Sequence, residues 1–163
     1  MTKKNFDHSL NRYLYRGVGG IAAEEDLIIK SLTPKAPGKF SYFFKFDGTI
    51  LLDGSATLGE SEQNATLRHQ LNQDGFPTSG VSTTPHKDRS FFYACGPNGC
   101  HKEGIILTID RLRLSQCGVS EAVVSASVYS PSVPEDDEVI LFDNSDDALP
   151  RQIVVKIERV TVK

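Results

Sequence analysis

Apolar residues along this chain come in short bursts, and each burst suits one strand or two to three helical turns. Residues 13–18 join aromatic and β-branched side chains and run into Gly19-Gly20, which predicts a strand and a turn. Glu24, Glu25 and Asp26 precede Leu27, Ile28, Ile29 and Leu32. Acidic residues in a first turn suit the positive end of a helix, so a helix is expected over 22–32, closed by Pro34, Pro37 and Gly38. Phe40, Tyr42, Phe43, Phe44 and Phe46 lead to an Asp47-Gly48 turn and then to Ile50-Leu51-Leu52, a strand–turn–strand pattern.

From Gly54 to Gly80 the apolar content falls, leaving a short helix over 65–71 and a loop marked by Gly75, Pro77 and Gly80. A strand over 81–84, a helix over 88–94 following Pro85, and a turn over 96–99 come next. A strand is predicted over 104–114, in which Arg111 and Arg113 alternate with Leu112 and Leu114 as a polar strand face. Val123, Val124 and Val128 mark the segment 118–130. The closing strands cover 138–142 and 153–162, on either side of an acidic loop over 143–150. Many short strands with peripheral helices predict an α+β domain rather than a doubly wound parallel sheet.

At 163 residues there is room for one domain, with enough chain to bury a core without metal or disulfide staples. The net charge of −3 argues against a protein that lives on nucleic-acid phosphates, and no apolar run approaches the length of a membrane span. The first residues, MTKKNFDHSL, have neither an apolar segment nor a small-residue cleavage site. No signal peptide is therefore expected, and the location implied is the cytoplasm or export by a route that uses no such signal. Cys95, Cys100 and Cys117 cannot all pair with one another. The spacing Cys95-x4-Cys100-His101 admits a metal reading, but zinc pairs sit closer and come with a second pair, so free loop thiols and no metal are expected.

Neither standard phosphate-cradling glycine loop is present. The candidate chemistry lies in three places: Arg16 before Gly17 on the first strand; Ser82, Thr83 and Thr84 on a hydroxyl-rich strand; and Glu135-Asp136-Asp137-Glu138 running into Val139-Ile140-Leu141-Phe142. Taken singly, each is ordinary: a surface cation, a polar strand, a solvated strand end. His8, His69, His86 and His101 rank below these; His86, close after the Ser82 strand, could sit near the cleft, yet nothing marks it as a base and a solvated loop position is expected for it.

In this order the three segments resemble the mono-ADP-ribosyltransferases, most closely the cholera-toxin and pertussis-toxin type of catalytic A subunit. The pieces are Leu14-Tyr15-Arg16-Gly17, Gly80-Val81-Ser82-Thr83-Thr84, and Tyr129-Ser130-Pro131 through Pro134-Glu135-Asp136-Asp137-Glu138-Val139. The similarity spans about residues 13–160. Thr84 stands where the family usually has Ser, and Asp136 where arginine-modifying members have the first Glu of Glu-x-Glu.

The resemblance implies a split sandwich of two small antiparallel sheets with flanking helices and a cleft for NAD, which is the substrate. It implies Glu138 as the carboxylate beside the ribose, where positive charge develops as the nicotinamide bond breaks. Ser82 would fix Glu138, Arg16 would pair with a phosphate, Gly17 would let the backbone approach the nicotinamide amide, and Asp136 would orient the nucleophile. Thr83 and Thr84 belong to the same binding strand, and Phe92 is the choice among Phe91, Phe92 and Tyr93 for an aromatic at the nicotinamide. The implied activity is ADP-ribosyl transfer to a macromolecular acceptor, a protein, by a toxin or effector; an immunity or activator protein is a further partner the family admits. NAD hydrolysis is the alternative, followed by a non-catalytic binding module on the same fold.

Overall fold

The computed structural model describes residues 11–40, 60–70, 77–96, 100–128, 130–145 and 148–162. The aromatic cluster and turn expected between Tyr42 and Leu52, together with Gly75, Tyr129 and most of the 96–99 turn, lie outside them. Among the described residues, six strands form two antiparallel three-stranded sheets. The first contains β1 (Tyr13–Gly19), β3 (Glu103–Asp110) and β6 (Val154–Thr161), in the order β1-β3-β6. The second contains β2 (Val81–Thr83), β4 (Val119–Val123) and β5 (Val139–Asp143), in the order β2-β5-β4. With helices beside them, this is the α+β class that the pattern predicts and the arrangement of two small antiparallel sheets that the resemblance implies.

The apolar run of β5 is buried on both faces, which explains why it does not alternate with polar residues. Val139 and Leu141 join Leu14, Ile105, Leu107 and Ile109 in the main core between the sheets. Ile140 and Phe142 face the other way, against Ala65 of α2 (Glu62–His69) and Val124 of α4 (Val124–Ser127). Phe40 meets Phe142 edge-on, with ring centroids 5.2 Å apart. A reciprocal pair of backbone hydrogen bonds links the two sheets: Tyr15 N to Thr84 O at 2.7 Å and Thr84 N to Tyr15 O at 2.9 Å.

The helices follow their local chemistry. α1 (Glu24–Leu32) starts on its three acidic residues, and Arg151 reinforces that end by pairing with Glu25 at 2.6 Å. α2 begins three residues before the expected helix because the Ser61 hydroxyl caps it, accepting the Asn64 N–H at 3.1 Å. α3 (Lys87–Cys95) covers the predicted span and lies directly on β1. Three glycines permit that closeness. A Cβ on Gly17 would lie 1.8 Å from the Ser90 carbonyl oxygen, one on Gly104 would lie 2.4 Å from that of Ala94, and one on Gly19 would meet both Ala94 O and His101.

One expectation fails in this region. Residues 111–114 do not continue a strand: β3 ends at Asp110, whose carboxylate accepts the Leu112 N–H at 3.1 Å and starts a 3-10 turn, Arg111–Arg113. Arg111 turns to the second sheet and pairs with Glu121 through Nε at 2.9 Å, and Leu112 is left exposed. An Asp able to cap a turn outweighs the alternating pattern that follows it.

Candidate functional site

The sheet joint opens onto a cavity of about 690 Å³, within the range usual for small-molecule sites. Arg16, Gly17, Ser82, Thr83, Thr84, Asp136 and Glu138 all border it, so the three segments separated in sequence meet here. Phe92 does not. It lies on α3 under the Arg89 guanidinium, and of the three consecutive aromatics it is Tyr93 that lines the cavity, as does Tyr15 from β1. Successive helical side chains are splayed by about 100°, so one of three consecutive aromatics faces inward and the composition does not say which.

Glu138 follows a sharp bend. Residues Pro134–Asp136 form a 3-10 turn, and Asp137 then adopts a left-handed conformation (φ 43°), which aspartate tolerates better than most residues. His86 holds that bend, its Nε2 lying 2.8 Å from Asp137 Oδ2, and is therefore a half-buried anchor rather than the solvated histidine expected. The Thr84 hydroxyl donates to the Asp136 carbonyl at 2.6 Å and the Thr83 hydroxyl to the Val139 carbonyl at 2.6 Å. Both threonines border the cavity, but each has committed its single proton to the backbone. The role the structure gives them is to staple the acidic turn to β2, not to donate to a ligand.

The bend delivers Glu138 into a ring of polar groups. Gln70 Nε2 donates to Oε2, and the Ser82 hydroxyl also bonds the carboxylate. Burial pushes the Glu138 pKa up; Ser82 and Gln70 pull it back, the negative charge of Asp136 raises it, and Arg16 lowers it. Arg16 donates through Nη1 to the Ser82 carbonyl at 2.7 Å, while its Nε is buried with no partner among the described residues. Burial lowers the Arg16 pKa to about 10, opposed by the charge of Glu138, so the guanidinium stays cationic at neutral pH.

His69 completes the ring, and sequence reasoning missed it. Its Nδ1 lies 2.5 Å from Thr78 Oγ1, its Nε2 2.6 Å from Ser82 Oγ, and the same Nε2 3.5 Å from Glu138 Oε1. Burial lowers its pKa to about 4, with Arg16 and Lys35 adding to the shift, so the ring is neutral at pH 7. Thr78, His69 and Ser82 are linked by these contacts, which end beside the Glu138 carboxylate. The partners of His69 are 9 and 13 residues from it in sequence, a distance at which no short motif exists to find.

Asp136 is 7% exposed and engaged from α3: Arg89 Nε donates to Oδ1 at 2.6 Å, and the Tyr93 hydroxyl donates to Oδ2. Burial and Asp136 together push Tyr93 up to about 12, which keeps its hydroxyl a donor. Gly17 has a different role from the one expected. The face on which its side chain would stand is filled by the α3 backbone, so its need for glycine comes from the helix and not from a ligand. Cys95, Cys100 and Cys117 are free thiols, and among the described residues no group of His, Cys, Asp or Glu is arranged to hold a metal ion. No helix among those residues is long and apolar enough to cross a membrane.

A half-buried arginine, a caged glutamate and a hydroxyl strand at the joint of two small antiparallel sheets are consistent with an ADP-ribosyltransferase-like domain. The chain belongs to the NarE family, whose model matches residues 13–141 and so takes in Arg16, His69, Ser82, Asp136 and Glu138. No curated protein matches the chain.

Proposed function

We propose that the cavity binds NAD, cleaves its nicotinamide–ribose bond, and transfers ADP-ribose to a macromolecular acceptor. The observation that carries this reading is Glu138: a half-buried carboxylate held by Gln70 and Ser82 in the same cavity as the half-buried cation Arg16. The residues fit the substrate. Arg16, Lys30 and Lys35 border the same cavity, and their positive charge suits a diphosphate.

Glu138 does the work that depends on charge. A fixed carboxylate interacts most strongly with the ribose when the departing nicotinamide leaves positive charge on the sugar, and this lowers the barrier more than it strengthens substrate binding. Ser82 and Gln70 hold that carboxylate in place and ionised, and His69 holds Ser82. Hydrolysis of NAD is the second reading, favoured by one observation: both oxygens of Asp136 already have donors within the protein. A role as a toxin or effector, with a protein acceptor and an immunity or activator partner, is supported by the resemblance to the toxin A subunits.

The test is nicotinamide release from NAD by purified protein, wild type beside Glu138→Gln, with and without cell lysate. The expected result is release by wild type, a loss of about a thousandfold or more in the variant, and an unchanged folded circular-dichroism spectrum. Label from NAD attached to a lysate macromolecule supports transfer, whereas release indifferent to lysate supports hydrolysis. Full turnover by Glu138→Gln removes Glu138 from this role.

A further inference from the structure

The amide that holds Glu138 is itself held. Gln70, which follows the last residue of α2, donates through Nε2 to Glu138 Oε2. The other end of its side chain meets Ser132, an exposed residue on the stretch that leads to the Pro134–Asp136 turn. The Ser132 backbone N–H donates to Gln70 Oε1 at 3.1 Å. The Ser132 hydroxyl lies 2.9 Å from the Gln70 carbonyl oxygen and 3.0 Å from Oε1, so whichever oxygen takes its one proton, the bond ends on Gln70. Gln70, Ser132 and Glu138 all border the cavity.

A carboxamide can serve either form of a carboxyl group. Its nitrogen donates to an ionised carboxylate; turned over, its oxygen accepts from the protonated acid. An amide free to turn therefore does little to keep a glutamate charged. Here the orientation is set by Ser132, because a backbone N–H can only donate and must face oxygen. The nitrogen is left facing Glu138, where its bond is stronger to the carboxylate than to the acid. The remaining groups around Glu138 do not touch this contact. Ser82 on β2 bonds the carboxylate, Arg16 on β1 and Asp136 on the turn act on its charge, and the neutral His69 of α2 lies 3.5 Å from Oε1.

We propose that Ser132 is a positioning residue that acts through Gln70: it fixes the amide with its nitrogen toward Glu138 and so keeps that carboxylate ionised and in place for nicotinamide cleavage. This inference rests on the reading of the cavity as an NAD-cleaving site. It assigns Ser132 no contact with the substrate and no part in the choice of acceptor.

The experiment measures kcat and KM for nicotinamide release from NAD between about pH 4 and 8 in wild type, Ser132→Ala, Ser132→Thr, Gln70→Leu and the double variant Ser132→Ala/Gln70→Leu. In Ser132→Ala the hydroxyl is gone and the backbone N–H alone holds Oε1. The acid limb of kcat is expected to move up by about half a pH unit and kcat at neutral pH to fall about threefold, the effect of one hydrogen bond, with KM within about twofold of wild type. Ser132→Thr keeps the hydroxyl and is expected to restore both. In the Gln70→Leu background Ser132→Ala is expected to add nothing, because the amide through which it acts is already gone. Circular dichroism is expected to be unchanged in every variant, since Ser132 is exposed.

An acid limb that Ser132→Ala leaves unmoved overturns the proposal. An equal shift in the Gln70→Leu background does the same, since the effect of Ser132 then bypasses the amide. A raised KM with kcat and its acid limb unchanged also overturns it, by making Ser132 a contact of the substrate. Absence of nicotinamide release by wild type removes the NAD-cleaving reading and this inference together, whereas release with any of those three results removes the inference alone.

Discussion

At the residue scale the function depends on how Glu138 keeps its charge. Its folded pKa is raised by burial, so as pH falls the active carboxylate is lost earlier than that of an ordinary glutamate. Ser82 and Gln70 oppose that loss. Ser82→Ala or Gln70→Leu is therefore expected to move the acid limb of nicotinamide release upward by about one pH unit, read from kcat against pH. His69 acts on stability with a definite sign. Its folded pKa of about 4 lies below its ordinary 6.5, so between these values the unfolded chain binds the proton and the folded one does not. The stability contributed by neutral His69 is complete above pH 6.5 and is lost as pH falls toward 4, by about 3 kcal/mol at most. Glu138 works in the opposite direction, gaining a proton more readily when folded. His69→Gln should consequently flatten the fall in urea midpoint between pH 6.5 and 4.5. Arg16, Ser82, Asp136 and Glu138 were named in the sequence through the resemblance carried by three short segments, and the structure brings those segments to one cavity. Their partners His69, Gln70, Arg89 and Tyr93 were not, because they arrive on helices whose facing direction depends on tertiary packing.

At the element scale α3 and β1 form one unit. Gly17, Gly19 and Gly104 let the helix backbone come within van der Waals contact of the strands, and α3 is the element that carries Arg89 and Tyr93 to Asp136. Gly17→Ala places a methyl group against a main-chain carbonyl that no side-chain rotation can relieve. A loss of about 3 kcal/mol or a failure to fold is expected, measured by chemical denaturation. The end of β3 shows why element boundaries are harder to read than the elements themselves. The alternation of Arg and Leu over 111–114 fits a strand, but Asp110 uses its carboxylate to cap a turn, and that local bond decides the matter. Ser61 moves the start of α2 for the same kind of reason.

For the whole molecule, the two sheets are held together by an apolar layer and by polar ties at its margins. Arg111 leaves the end of β3 in the first sheet and pairs with Glu121 on β4 in the second, while also donating to the Asn11 carbonyl at 3.0 Å. Arg111→Ala should lower unfolding stability by about 1–3 kcal/mol and leave the denaturant slope unchanged, because both sheets share one core and unfold together. The α+β class was within reach of the sequence, since turn signals separate short strands throughout, and the two-sheet arrangement was implied by the resemblance. The pairing of those strands was not, because the order β1-β3-β6 joins residues from 45 (Ile109 with Val154) to 97 (Tyr13 with Asp110) apart in sequence.

The backbone joint between Tyr15 and Thr84 sets how this gene can change length. On either side of it, neighbouring residues point to opposite faces, so adding or deleting one residue within Leu14–Arg16 or Val81–Thr84 exchanges the face of every residue beyond the change. Arg16 or Ser82 would then be traded for a core side chain, and a buried aliphatic for a charge. A library of single-codon insertions should show these two short stretches empty of survivors, even where neighbouring surface turns such as the one at Gly118 accept added residues.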